Sequence, residues 1–291
     1  MTAVVNPALV VVEPGPLTTV QDLGRPGWAS LGVTTSGAAD RSSLRRANRL
    51  VGNREDAAGL EITLGGLRVC AVRPLTLAVT GAVCPLTVDG GGVGRNAVLE
   101  LETGQVLAVG LATAGVRTYL AVRGGVDVPV VLGSRSRDTL AGLGPDPLRS
   151  GQILAVGDAT AGWPTTEVAP VPDPPSGEVR LRVVPGPRQE RLGAGALELL
   201  TAASWQVDPA GDRVGLRLRG PTLPTGGTAS GGWPSEGLVR GAIQVPPNGL
   251  PVVFLADHPV TGGYPVLACL GTEDADRAAQ LRPGQSVRMW S

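Results

Sequence analysis

The chain has 291 residues, 25 basic and 25 acidic side chains, and a formal net charge of zero. That balance gives no basic footprint for nucleic acid, and the length suits one large or two ordinary domains. All the basic residues are arginine, so a lysine Schiff base, a biotinyl-lysine, a Walker lysine and a Ser-Lys dyad are all excluded.

Only 17% of residues are charged, while 43 glycines and 26 prolines make up almost a quarter of the chain. The glycines lie between short β-branched runs, which predicts a turn-rich, mainly β protein. Cys70, Cys84 and Cys269 are far apart and form no C-x-x-C pair, so buried thiols in a reducing cytoplasm are expected, with neither a disulfide framework nor a zinc site. No apolar run approaches membrane-spanning length and no basic-then-apolar leader opens the sequence, so neither a span nor a signal peptide is expected.

In chain order, a first strand is predicted over 8–13. A block over 14–40 follows, in which Gly15, Gly24, Gly27, Gly32 and Gly37 alternate with Asp22, Arg25, Ser36 and Asp40. Glycine at that density permits left-handed turns and close approach of backbone to a ligand, so the block reads as a site. A helix is predicted over 39–51, with Leu44, Ala47 and Val51 on one stripe, Asp40 as N-cap and Gly52 as its stop. Strands follow over 61–64, 67–72, 75–80, 96–101, 105–109, 116–122 and 152–156. Asp89-Gly90-Gly91-Gly92-Val93-Gly94 lacks the lysine and the helix of a phosphate loop and reads as a glycine-rich hairpin.

Prolines at 164, 170, 172, 174 and 175 then crowd a stretch without apolar periodicity. It divides the chain into an N-terminal domain over 1–160, an extended linker over 161–177 and a C-terminal domain over 178–291, and the strand spacing in each suits a sandwich or a barrel. The second half predicts strands over 179–184, 204–208, 213–219, 241–245, 251–256, 264–270 and 285–290, and helices over 189–201 and 273–281. Leu-Arg-x-Gly-Gln recurs near the end of each half, at 148–152 and 281–285, as a turn feeding a last strand.

The ordered blocks carry a family resemblance. After the 14–40 block come Ala47-Asn48-Arg49-Leu50-Val51-Gly52-Asn53, Leu60-Glu61-Ile62-Thr63-Leu64-Gly65-Gly66, Tyr119-Leu120-Ala121-Val122-Arg123-Gly124-Gly125, and Leu132-Gly133-Ser134-Arg135-Ser136. The second half adds Asp212-Arg213-Val214-Gly215, Ser235-Glu236-Gly237 running on to Gln244-Val245-Pro246-Pro247-Asn248-Gly249, Ala256-Asp257, and Thr261-Gly262-Gly263-Tyr264-Pro265. Together they resemble the KipA family, whose members are also called allophanate hydrolase subunit 2, biotin-dependent carboxyltransferase-like proteins, or the C-type subunit of 5-oxoprolinase. The resemblance implies two cyclophilin-like β-barrel domains with a few short helices. It also implies a KipI-like partner (the B-type 5-oxoprolinase subunit), a third protein of the A-type, and ATP-dependent opening of 5-oxoproline to glutamate. ATP and Mg2+ would serve the complex, with their site on this chain or on a partner. His258 and Val266 depart from the family pattern, and Val266 stands where many relatives carry a basic residue.

The site expectations combine residue chemistry with that resemblance. Segments 21–40, 134–137 with 211–215, and 236–265 would have to meet. Arg25, Arg135 and Arg213 stand beside glycine or serine, where a guanidinium fork suits a carboxylate or phosphate; structural pairing with Asp22 or Asp212 is the other reading. Ser36, Gln244, Gly262, Gly263 and Tyr264 complete the substrate- and anion-binding set, although a rigid turn accounts for 244–249 and a tight turn for 262–265 without any ligand. Asp22, Glu236 and Asp257 are the catalytic carboxylates; Asp40 is explained by its cap, Glu61 is a further candidate, and His258 is a weak acid–base candidate. No metal site is read on this chain. Allophanate hydrolysis by this chain alone is not expected, because there is no lysine for a Ser-Ser-Lys amidase and only one histidine for a triad. Two other functions stay open: the carboxyltransferase part of a urea-carboxylase-like, biotin-dependent system, and a non-enzymatic antagonist of a KipI-like kinase inhibitor.

Overall fold

In the computed structural model the described residues are 6–226 and 233–291. They form two compact units. Of the described residues, the first comprises 6–25, Asp40–Asp138 and Gly142–Pro174; the second comprises Pro26–Ala39, Thr139–Ala141, 175–226 and 233–291.

The first unit is built on two antiparallel sheets. One has seven strands in the order Val126–Asp127, Ile153–Val156, Pro7–Pro14, Leu67–Ala71, Val106–Val109, Leu86–Val88, Gly91–Gly92. The other has five, in the order Leu17–Gln21, Gly59–Thr63, Ala114–Val122, Leu75–Val83, Val98–Leu101. Side chains alternate as the pleat requires: Leu67, Val69 and Ala71 are buried, whereas Arg68 and Cys70 point away. The core includes Leu9, Val11, Leu60, Ile62, Leu77, Val79, Leu107 and Leu120, each fully buried side chain contributing about 1.5–3 kcal/mol.

Helix α1 (Arg41–Leu50) packs Ala47 and Leu50, with Val51 just after it, against Ala78 and Ala121 of the five-stranded sheet. Asp40 caps it as expected: its Oδ1 accepts from the Ser43 amide at 3.0 Å. The 89–94 stretch is the hairpin its composition predicted. Val88 pairs with Gly91, leaving Asp89 and Gly90 at φ +49° and +83° as a two-residue turn, the geometry that matches strand twist.

The proline-rich stretch is extended but not free. Thr160 bridges to Asn53 and Val168 to Ala97. The amide of Val98 donates to the Glu167 carbonyl at 2.8 Å, and that of Ala169 to Asn96 at 2.8 Å. Proline has no amide to continue the ladder, so the stretch lies along an edge without becoming a strand.

The second unit is a closed barrel, in the order Val179–Pro185, Val266–Leu270, Ala242–Gln244, Val252–Phe254, Gly215–Arg219, Ser204–Val207, Ser286–Trp290. Its last strand closes on the first in parallel register, Val179 opposite Val287 and Leu181 opposite Met289. Leu181, Val183, Trp205, Leu216, Leu218, Ile243, Val253, Leu267, Val287 and Met289 fill one core, and Trp205 donates its indole N–H to the Leu200 carbonyl at 2.9 Å.

Helices α2 (Ala196–Ala202) and α3 (Thr272–Ala278) pack against this barrel. The single helix expected over 189–201 is instead a 3-10 turn, Gln189–Leu192, followed by α2. Gly193 and Gly195 between them sit at φ +85° and +83°, outside helical space. Among the described residues no helix is long and apolar enough to cross a membrane. All three cysteines are free, with Cys84 buried and the other two half-buried.

Candidate functional site

In the first unit, the turn after strand Leu17–Gln21 is tied to the 134–136 loop by one carboxylate. Asp22 Oδ1 accepts from the Gly24 amide at 2.7 Å, Ser134 Oγ at 2.6 Å and Ser136 Oγ at 2.5 Å, and Oδ2 accepts from the Arg135 amide at 2.6 Å. Arg25, fully buried, donates to the carbonyls of Val131 and Ser136. Both residues are thus engaged in holding loops. The Arg135 side chain points elsewhere: it pairs with Asp127 at 2.8 Å and both are half-exposed. Asp22, Arg135, Asp127, Arg54, Asp56 and Asp158 line a polar cavity of about 650 Å3, in which Arg54 pairs with Asp56. Elsewhere in this unit, Tyr119 donates to Glu61 at 2.8 Å, and Arg117 lies 3.5 Å from the same carboxylate. Burial pushes the Tyr119 phenol well up, with Glu61 adding to the effect.

In the second unit, the chain contributes Ser36 and Gly37 from the early glycine-rich block to a buried ion pair. Arg213 meets Asp257 through Nε at 2.9 Å and Nη2 at 3.0 Å, and donates to the Gly37 carbonyl at 2.7 Å. Ser36 Oγ donates to Asp257 Oδ1 at 2.5 Å; the amide and hydroxyl of Thr139 reach Oδ2 at 2.8 and 2.7 Å. Burial alone would push the Asp257 carboxyl up. Arg213, with the bonds from Ser36 and Thr139, outweighs it and holds the group below the ordinary aspartate value. Ser36 holds a left-handed backbone, φ +52°, unusual for a residue with a Cβ. Five donors leave this carboxylate no open position, so Arg213, Ser36 and Asp257 form a latch that fixes the loop. His258 follows it, with Nδ1 2.8 Å from the Pro259 carbonyl.

The remaining expected residues gather on the outer face of the barrel. Gln244 lies opposite both Val252 and Val266 in the ladder. It is 3% exposed and donates Nε2 to the Tyr264 carbonyl at 2.6 Å. Glu236 pairs in register with Gly262; it accepts from the Val266 amide at 3.1 Å, and Arg188 lies 3.2 Å from its other oxygen. Gly262 is glycine for a spatial reason: a Cβ there would fall 2.7 Å from Gln244 Nε2 and 2.9 Å from a Leu238 methyl. Gly263 continues this turn to Tyr264, which is 45% exposed. Gln244, Tyr264, Phe254, Val252, Pro246, Arg217 and Asp212 are among the residues lining a second cavity, of about 420 Å3, within the size of small-ligand sites.

Sequence reasoning missed three partners here. Thr139 carries no local signal. Arg217 and Phe254 were visible only as members of alternating strands, where Leu216, Leu218 and Val253 face inward and send their neighbours out. Among the described residues, no three acidic, cysteine or histidine side chains converge as a metal ligand set, and the chain has no lysine for a nucleotide phosphate.

Residues 31–290 match the family model of the carboxyltransferase domain, subdomain A and B, and the chain belongs to that family. Its similarity runs to full-length relatives. It is 37% identical to the C-type 5-oxoprolinase subunit of Escherichia coli K12, over 96% of this chain and 89% of that one, and 31% identical to its counterpart of the same name in Haemophilus influenzae, over 93% and 86%. It is also 31% identical to urea amidolyase of Saccharomyces cerevisiae, over 97% of this chain but 16% of that protein. Among solved structures, TTHA0988 superposes with a TM-score of 0.88 at 36% identity, covering 98% of this chain and 56% of that one. Kluyveromyces lactis urea amidolyase superposes at 0.92 and 30% identity, covering 97% and 18%. The chain thus spans just over half of the first solved relative and under a fifth of the second.

Proposed function

We propose that this chain is one subunit of an ATP-dependent, 5-oxoprolinase-like amidohydrolase that opens a cyclic amide together with a KipI-like partner and a third protein. The observation that carries the reading is the end-to-end match to the C-type 5-oxoprolinase subunit, with 96% of this chain aligned to 89% of the relative. In the reaction, water adds to the lactam carbonyl carbon, the C–N bond breaks, and the nitrogen takes up a proton, giving an amine and a new carboxylate. In this reading the complex uses ATP and Mg2+, with their site on this chain or on a partner subunit.

Of the three carboxylates expected to act in catalysis, Asp22 and Asp257 are engaged by four and five donors. Each ties down loops of its own unit. Glu236, held by one amide and one guanidinium beside Gly262, is the carboxylate assigned to proton transfer. Glu236→Gln in the reconstituted complex is expected to lower kcat roughly 100-fold, the usual scale of a lost acid–base group, while leaving the fold intact by circular dichroism.

The decisive assay is co-expression with the partner subunits and measurement of glutamate formed from 5-oxoproline per ATP consumed. A second reading is carboxyl transfer in a urea-carboxylase-like system, favoured by the urea amidolyase match. It predicts no lactam turnover, and urea carboxylation when a carboxybiotin carrier is supplied.

A further inference from the structure

The cavity on the outer face of the second unit's barrel has a polar pattern that none of the loop latches explains. Gln244 Nε2 is fixed by the Tyr264 carbonyl, which can only accept. The amide orientation follows, and Oε1 is the atom left over. It accepts no hydrogen bond from a described residue, yet it is not among the fully buried polar atoms that lack a partner, so it keeps an opening to solvent although the residue as a whole is 3% exposed. An amide oxygen open to solvent is a ready acceptor for a ligand N–H, and this one belongs to a residue that lines the cavity.

Two strands away, Arg217 stands in the same cross-strand row. Arg217 pairs with Val252, and Val252 pairs with Gln244. At about 4.8 Å per strand the two backbones are roughly 10 Å apart, and both side chains leave the same face. Arg217 is exposed and, among the described residues, is held by no side-chain hydrogen bond or close ion pair, though it lies in the field of Asp208, whose carboxyl it helps to hold low. Phe254 and Tyr264 complete the walls.

We infer that this cavity binds a small monocarboxylated amide, the amide N–H donating to Gln244 Oε1 and the carboxylate pairing with Arg217. Phe254 and Tyr264 supply flat apolar surface for a ring. The assignment rests on the amidohydrolase reading for the choice of a lactam, and goes beyond it in placing recognition in this pocket and on Arg217. Asp212 lies on the same rim, with Oδ1 accepting from the amides of Val214 and Gly215 at 2.8 and 3.1 Å. Its charge repels a second carboxylate, so a dicarboxylate product such as glutamate leaves more readily than the monocarboxylated lactam.

The test compares three ligands by saturation-transfer NMR on the reconstituted complex: 5-oxoproline, 2-pyrrolidinone (the ring without the carboxylate) and cyclopentanecarboxylate (the carboxylate without the amide). The unmodified protein should favour 5-oxoproline at least tenfold over either analogue. Arg217→Gln, at an exposed position where misfolding is not at issue, should remove that preference over 2-pyrrolidinone and raise KM for 5-oxoproline at least tenfold with kcat nearly unchanged. Arg217→Lys should recover part of it. If Arg217→Gln binds and turns over 5-oxoproline like the parent, the pocket assignment is overturned while the reaction stands. If the complex opens no lactam but binds 5-oxoproline in an Arg217-dependent way, the pocket stands and the reaction reading fails. Absence of binding by the unmodified protein overturns the pocket directly.

Discussion

Arg213 and Arg135 look alike in sequence, each an arginine beside small residues in a loop. Burial separates them. The Arg213–Asp257 pair is 2% and 0% exposed, the Arg135–Asp127 pair 38% and 46%. Arg213→Ala leaves Asp257 buried without its counter-charge, and urea denaturation should show a loss of about 3–5 kcal/mol; Arg135→Ala should cost under about 1 kcal/mol. The pH dependence follows from the same pair. Because the folded-state Asp257 carboxyl titrates below its unfolded value, its contribution is full above about pH 3.9, the ordinary aspartate pKa. It is lost as pH falls through the lower folded value. Arg213→Ala should therefore flatten the acid limb of the stability–pH profile; a limb of unchanged slope would count against this account.

The elements follow local rules wherever one face is dry and the other wet. Helix α1 was legible from its stripe and its cap, and Asp40→Ala should cost roughly 1 kcal/mol in thermal or chemical unfolding. Strand Leu17–Gln21 escaped the pattern because Thr18, Thr19, Val20 and Gln21 are all buried, so no alternation marks it. The split before α2 was written in Gly193 and Gly195 but masked by the leucines around them. Strand Leu75–Val83 holds a glycine for close approach. Gly81 sits at φ +92°, and a Cβ would fall 2.4 Å from the Arg117 carbonyl oxygen, beside an irregularity in the pairing with Ala114–Val122. Gly81→Ala combines overpacking with left-handed strain and should destabilise by roughly 2–4 kcal/mol, read as a lowered Tm. An unchanged Tm would mean that the two strands separate there at little cost.

For the whole molecule, the most consequential fact is a residue type that never occurs. With no lysine, biotin ligase should leave the chain unlabelled on a streptavidin blot, and an amine-reactive ester should modify the α-amino group alone. The isolated chain should release no ammonia from allophanate; release would point to a nucleophile and base that neither lysine nor a histidine triad explains.

Composition and spacing by themselves determined that this is a turn-rich β protein with short capped helices, without lysine chemistry. Its ordered motifs were enough to mark its family, because turn residues, caps and strand alternation are local properties written within a few positions. Tertiary structure alone decided which polar residues remain open to a ligand. Asp22 and Asp257 are spent on donors up to 221 residues away in sequence, whereas Gln244 keeps an oxygen that accepts from no described residue and Arg217, two strands away, keeps an exposed guanidinium. Whether a carboxylate or an amide has spare hydrogen-bonding capacity depends on neighbours that only the folded chain brings within three ångströms, and no local pattern encodes them.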